Sequence, residues 1–300
     1  MGRVDKDSNR AFYDSQREED RQRFESGSKA FQSVAFVPWV AAHLAPGARL
    51  LDIAGGSGVY ASQIVRAAPV SVIGVDISSS MVKQRSEDPR LPENIVGDME
   101  ALPFADGSFD AAMFVAALHH VPDPLAALRE AFRVVRPGGT LFAAEPCSLR
   151  VGEAGVAPVP GHDHEFRFSM GFLNGKIEAA GFRIDEVQGK RLTMRFVARP
   201  FESPPLWAYR AADRIDRVIT RLPRILGLAE LALVRATRAD AAPGASTTQP
   251  ASTLADAFAC PRCHGALART SDRFTCRKCG AVYPDENGVE ILLADDHAER

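Results

Sequence analysis

Residues 50–60 read L-L-D-I-A-G-G-S-G-V-Y, and few folds accommodate that order. Leu50, Leu51 and Ile53 make a short apolar run, glycines follow at 55, 56 and 58, and Ile64 and Val65 begin an apolar helical face. Strand, glycine turn and helix is the reading that satisfies all three. Glycine allows positive φ and lets a ligand approach the bare backbone, while the following helix offers unpaired N–H groups. Asp52 falls where the strand ends, which predicts a carboxylate pointing into the crevice above the sheet. The segment G56-S-G58-V-Y-A61 also fits the dinucleotide pattern G-x-G-x-x-G/A, with Asp76 eighteen residues beyond Gly58 at the end of the next strand. The turn alone does not separate NAD from another nucleoside cofactor.

Strand and helix patterns alternate from there. Val70–Val75 is β-branched and ends in Asp76; a helix begins at Met81; Asn94–Val96 is a short strand ending at Gly97 and Asp98. Phe109–Ala117 is a long apolar strand, and Asp123-Pro124 opens a helix as N-cap and first residue, with Leu125, Leu128, Phe132 and Val135 inward. Pro137-Gly138-Gly139 stops it ahead of a strand over Thr140–Ala144. Upstream, residues 31–44 are helical, with Pro38 separating two short pieces or starting the second. Downstream come a Gly/Pro-rich surface loop at 151–160, a helix over 172–180, a strand over 182–187 and a helix over 204–224. Residues 228–236 fit a closing antiparallel strand, with a continuing helix as the rival. Such alternation predicts an α/β, doubly wound, mostly parallel sheet, with ligands beyond the carboxyl ends of the strands. Asp52, Asp76, Asp98, His119, His120 and Glu145 all fall at those ends.

Charge is informative only locally. A net charge of −2 carries no whole-chain signature for nucleic acid or membrane, and 46% apolar content suffices for a buried core. The polar N-terminus lacks a secretory hydrophobic region and no run reaches the length of a membrane span, so a cytoplasmic protein is expected. Residues 1–30 form a charged arm with seven acidic and seven basic side chains. Residues 183–238 hold twelve Arg/Lys against six Asp/Glu. There Ile215, Val218, Ile219 and Leu222 are spaced as one apolar face of the helix, and Arg210, Arg214, Arg217, Arg221 and Arg224 recur at helical spacing on another face. This stripe suits phosphates of RNA, an anionic substrate or a membrane surface; a solvated face, interrupted by Asp213 and Asp216, is the commoner meaning.

Residues 239–257 are small, polar and proline-broken, a flexible linker that separates a domain at 31–238 from one at 258–294. In the second, Cys260-P-R-Cys263 and Cys276-R-K-Cys279 are separated by twelve residues. Two such knuckles present four thiolates to structural Zn2+, which redox-active pairs or disulfides at this spacing would not require. A segment this short cannot bury a core, so metal binding would supply much of its folding energy. Its near-neutral balance, six basic against seven acidic side chains over 260–300, argues against nucleic-acid binding by this module alone.

The ordered set D-I-A-G-G-S-G, G-V-D76-I-S, G-D98-M-E-A-L-P-F-A-D-G-S-F-D, A-L-H-H-V-P-D-P and R-V-V-R-P-G-G-T-L resembles the class I S-adenosylmethionine-dependent methyltransferases over residues 48–146. It is most similar to the ubiquinone and menaquinone methyltransferase branch. The resemblance implies a Rossmann-like, seven-stranded sheet and S-adenosylmethionine as cofactor. It also implies that Asp52, Ala54, Gly55, Gly56 and Gly58 hold the methionine moiety, that Asp76 with Ile77 binds the ribose hydroxyls, and that Asp98 and Met99 contact the adenine. Ala54 departs from the pattern, standing where many relatives have glycine. The C-P-R-C-H-G-A-L … C-R-K-C-G-A-V-Y-P-D-E-N-G-V-E-I-L-L segment resembles the small zinc ribbons that activate RNA and protein methyltransferases as separate subunits. That implies intramolecular docking onto the methyltransferase, by extension of its sheet.

In methyl transfer the sulfonium is already electrophilic, so the chief tasks are alignment and exclusion of water. A base is needed only for an acceptor that must lose a proton. His119, His120 and His162 are the candidates, with His164 beside the last; pocket or surface roles compete for all four. Glu145 either touches substrate or caps its strand, and Cys147 reads as a buried small residue. The acceptor expected is a small molecule, a biosynthetic intermediate or glycan. RNA or protein is the alternative, and a non-catalytic cofactor-binding scaffold a third reading. An N-P-P-Y-type motif is absent, Leu118-His119-His120-Val121 standing in its place, which disfavours methylation of exocyclic amines or glutamine.

Overall fold

The computed structural model describes residues 10–11, 28–149, 151–160, 162–193, 196, 205–222, 228–239, 257–270, 273–286 and 289–294. Most of the charged arm, the linker from 240 to 256 and Arg224 lie outside the described residues. The chain forms strands β1 (Arg49–Ile53), β2 (Ser71–Asp76), β3 (Asn94–Gly97), β4 (Phe109–Val115) and β5 (Val135–Pro146). A hairpin β6 (Val156–Val159) and β7 (His162–Phe168) follows, then β8 (Phe182–Lys190) and β9 (Leu231–Arg238). The central order is β3-β2-β1-β4-β5-β9-β8, seven strands as expected. β1 pairs in parallel with β2 and β4, β2 with β3 and β4 with β5, whereas β9 runs antiparallel to β5 and β8. Residues 228–236 thus enter a strand rather than continuing a helix.

Helices cover both sides: α1 (Ser28–Ala41), α2 (Val59–Ala67), α3 (Ser79–Arg85), α4 (Leu125–Val134), α5 (Met170–Ala179) and α6 (Leu206–Ile219). Alternation along the strands sorts the core into two layers. Leu51, Ile53, Ala112 and Phe114 join Leu128 and Leu173 in one; Leu50, Met113 and Phe142 join Phe36, Val40 and Ile64 in the other. Each large side chain so buried contributes about 1.5–3 kcal/mol. Trp39 adds an edge contact to Phe142 at 5.4 Å and donates from its indole to Glu186 at 3.1 Å, tying α1 to β8.

Four local expectations are corrected. α1 runs through Pro38 unbroken, because the proline sits on the exposed side of a helix whose neighbours Val37, Trp39 and Val40 are anchored in the core. Pro137-Gly138-Gly139 does not precede the strand but lies inside β5, as a bulge between the pairs Phe109↔Val135 and Ala111↔Thr140. Val135 accordingly belongs to β5, and Leu125 N–H donates to the Asp123 carboxylate at 3.0 Å just before α4. Within 151–160 only Val156–Val159 depart from a loop, forming β6 of the β6–β7 hairpin, while 151–155 remain in turns.

The cysteine module builds β10 (Leu267–Arg269), β11 (Arg273–Cys276), β12 (Val282–Glu286) and β13 (Val289–Leu292), each antiparallel to the next. β13 pairs in parallel with β3 through Glu290↔Ile95, Ile291↔Val96 and Leu292↔Gly97, extending the sheet to eleven strands. An open edge at β3 would offer unpaired backbone groups, and this docking covers it. Ala105 N–H donates to Ala257 at 2.7 Å, Ala259 N–H donates to Pro103 at 3.0 Å, and the Phe104 and Phe258 rings stack at 5.9 Å.

Candidate functional site

The glycine turn and the ends of β2 and β3 meet at one edge of the sheet. Ala54 has φ +52°, the left-handed conformation that glycine adopts freely and that costs alanine about 1–2 kcal/mol. The turn continues through Gly56 at φ +53° and Gly58 at +77°, just before α2. Asp76 organises its crest: the Gly56 N–H donates to one carboxylate oxygen at 2.8 Å and the Ser78 N–H to the other at 2.9 Å. Burial pushes this carboxyl above its ordinary range, opposed by those two N–H groups. A carboxylate has about four lone-pair sites, so acceptor capacity remains for a diol. Ile77 follows half-buried, Asp98 is buried and accepts from the Glu100 N–H at 2.8 Å, and Met99 packs partly against the core.

Asp52 does not point into the crevice. It is 2% exposed and pairs with Arg85 of α3 at 2.6 Å, while the Arg85 Nε donates to Asn94. A Cβ at Gly55 would collide with this carboxylate, and one at Gly74 with the guanidinium. The pair is a buried strut beneath the turn, and the glycines above and beside it are the condition for its fit. An apolar strand ending in Asp says nothing about a cation delivered thirty-three residues later, so sequence reasoning missed it.

A second cluster forms at the ends of β4 and β5. The N–H groups of Ala117 and Leu118 donate to one oxygen of Glu145 at 2.9 and 3.0 Å, and His119 Nδ1 lies 3.0 Å from the other. Glu145 is fully buried and the His119 side chain 12% exposed. A carboxylate that already accepts two N–H bonds fixes the Nδ1–H tautomer, leaving Nε2 as the basic nitrogen. The His119 and His120 rings lie 4.1 Å apart. His162 and His164 lie on β7, and their side chains fall outside the described residues. Sequence placed Glu145 and His119 at the same end of the sheet, but nothing near either residue marks the other as its partner, and His119 sits on a short 3-10 turn at Leu118–His120 rather than on the strand itself. Cys147 is buried, its thiol pushed up to about 12 by burial and by Glu145 nearby, which makes it inert.

At the far edge Cys260, Cys263, Cys276 and Cys279 bring four sulfurs within 4.8 Å of one another. Cys260–Cys279 and Cys263–Cys276 are 3.7 and 3.5 Å apart, close to the edge of about 3.8 Å in a tetrahedron of Zn–S bonds near 2.3 Å. The N–H groups of Lys278 and Cys279 approach the Cys276 sulfur at 3.3 and 3.4 Å, and the Tyr283 hydroxyl the Cys260 sulfur at 3.0 Å. The donor set fits a tetrahedral thiolate metal. Among the described residues no helix is long and apolar enough to cross a membrane.

Residues 51–143 match the family described as a methyltransferase domain. The chain is 42% identical over 100 residues to a demethylmenaquinone methyltransferase of Renibacterium salmoninarum, covering 33% of this chain and 42% of that protein. It is 40% identical over 118 residues to the ubiquinone/menaquinone biosynthesis C-methyltransferase UbiE of Dinoroseobacter shibae, covering 37% and 46%. The chain spans less than half the length of these curated relatives. A chain from the solved complex between the Haloferax volcanii Trm112 methyltransferase activator and a methyltransferase shares the fold, with TM-score 0.50 and 21% identity over 71% of this chain and 93% of that one.

Proposed function

We propose that the domain matched at residues 51–143 makes this chain an S-adenosylmethionine-dependent methyltransferase acting on a small-molecule acceptor, with a structural zinc ribbon built into the same sheet. The observation that carries the reading is Asp76 holding the crest of the glycine turn through the Gly56 N–H with acceptor capacity to spare. On it, Asp76 and Ile77 take the ribose, Asp98 and Met99 the adenine, and the backbone of Ala54, Gly55, Gly56 and Gly58 the methionine moiety. Asp52 acts through the turn that its pair with Arg85 supports. When bound, S-adenosylmethionine supplies an electrophilic methyl group. His119, aligned by Glu145, receives the acceptor's proton at Nε2, a contribution of about 10²–10⁴-fold for a positioned base.

The names of the quinone-methylating relatives favour an aromatic small molecule whose hydroxyl proton must leave before carbon can attack. Cys260, Cys263, Cys276 and Cys279 hold Zn2+, which ties the knuckles together and keeps β13 on β3. An RNA or protein acceptor is the second reading, favoured by the ribbon's resemblance to subunits that activate such methyltransferases.

The test supplies the purified protein with methyl-labelled S-adenosylmethionine and a cell lysate split into small-molecule, RNA and protein fractions. Label in the small-molecule fraction is expected. Label in RNA or protein promotes the second reading, and cofactor binding without transfer to any fraction overturns catalysis.

A further inference from the structure

Helix α6 does not bury the face its sequence marks as apolar. Its inward residues are Ala208, Tyr209, Ala212, Asp213 and Asp216, whereas Trp207, Ile215 and Val218 are 60%, 44% and 64% exposed, and Leu222 just beyond is 59% exposed. At about 100° per residue, Trp207, Val218 and Ile215 fall within one sector of about 80°. Arg210, Arg214 and Arg217 occupy the adjoining sector, and Arg221 follows just past the helix, all exposed. The outward side of α6 is therefore split lengthwise, apolar on one half and cationic on the other.

Of the acidic residues expected to interrupt the arginines, Asp216 turns inward and accepts from the Thr193 hydroxyl at 2.7 Å, while buried Asp213 is shared between Lys190 at 2.6 Å and Arg217 at 2.8 Å. Apolar exposure is concentrated here as well: of nine exposed large apolar residues among those described, seven lie between 196 and 228. Lys190 pairs with Leu231, which pairs with Pro146, so α6 is tied to the end of the sheet where Glu145 lies.

We propose that this face docks the protein on the surface of an anionic phospholipid bilayer, the apolar half entering the acyl boundary and the arginines meeting lipid phosphates. Scattered single apolar residues need no explanation, but a contiguous apolar sector rimmed on one side by a row of arginines, of which Arg217 is paired with Asp213, matches an interfacial helix. A protein partner would need matching acidic and apolar stripes; a bilayer carries both everywhere. The surface is independent of the catalytic assignments, and it would set the crevice edge beside the membrane, where a lipophilic acceptor resides.

The test floats the full-length protein with phosphatidylcholine vesicles, with and without phosphatidylglycerol. Binding is expected only to the anionic vesicles, weakening as salt rises from about 0.1 M to about 0.5 M. Val218→Glu should lower vesicle affinity at least tenfold with an unchanged melting temperature. Arg210→Gln and Arg214→Gln should each cost about fivefold. If Val218→Glu fails to fold, Leu222→Ser supplies the same readout. Equal binding to neutral vesicles, no binding at all, or binding indifferent to these substitutions overturns the proposal. So does a dimer in sedimentation that Val218→Glu dissociates, which would make the occupant a second copy of the chain.

Discussion

Helices α4 and α6 carry equally clear apolar periodicity and place it oppositely. α4 turns Ala127, Leu128, Ala131 and Val134 onto the sheet. α6 turns small and polar residues inward and leaves Ile215 and Val218 outside. Periodicity establishes that a helix has two faces; what waits beneath decides which is buried. Under α4 lies an apolar layer that includes Phe109, Leu141 and Ala143. Under α6 lie the ammonium of Lys190, wholly buried, the carbonyl of Gly189 and the backbone of Thr193. A buried ammonium with no counter-charge is costly, so Asp213 goes in and the apolar face goes out.

Four variants sharpen this contrast. Leu128→Asp places a charge in the apolar layer beneath α4 and should cost about 4 kcal/mol or more, read by denaturant unfolding. A loss under about 1 kcal/mol would deny that α4 is packed as described. Asp213→Ala leaves Lys190 buried without its partner and should cost about 3 kcal/mol, whereas the paired change Lys190→Met with Asp213→Leu should cost much less. Burial already holds the Lys190 amine below its ordinary value of 10.5. The unfolded chain therefore binds the extra proton between the lowered and the ordinary value, and stability rises with pH across that window. Losing Asp213 lowers the folded value further, so the deficit of Asp213→Ala should shrink as pH rises from about 7 to about 10. Val218→Asp should change stability by no more than about 0.5 kcal/mol, since it lies on the open side of α6; a loss of several kcal/mol would mean that face is packed.

The same distinction governs what could be read from sequence. Local chemistry was legible: the glycine turn, Asp76 at the end of β2 and the two cysteine pairs stand where strand, turn and knuckle signals put them. Docking of the ribbon by sheet extension was implied only by its resemblance to the small methyltransferase-activating zinc ribbons, and β13 on β3 has that form. Pairings over distance were not legible. Arg85 reaches Asp52 across thirty-three residues and Glu145 reaches His119 across twenty-six. Neither carboxylate declares its partner in its own neighbourhood, so Asp52 read as crevice-facing and Glu145 as either touching substrate or capping its strand. The inversion of α6 belongs with these, since its cause sits on β8.

Calorimetric titration of the full-length protein with S-adenosylhomocysteine, wild type beside Asp76→Ala, tests the central claim most directly. The account predicts saturable one-site binding by the wild type and at least a tenfold loss on removing the carboxylate, about 1.4 kcal/mol or more. No binding by the wild type, or equal affinity in the variant, would contradict it.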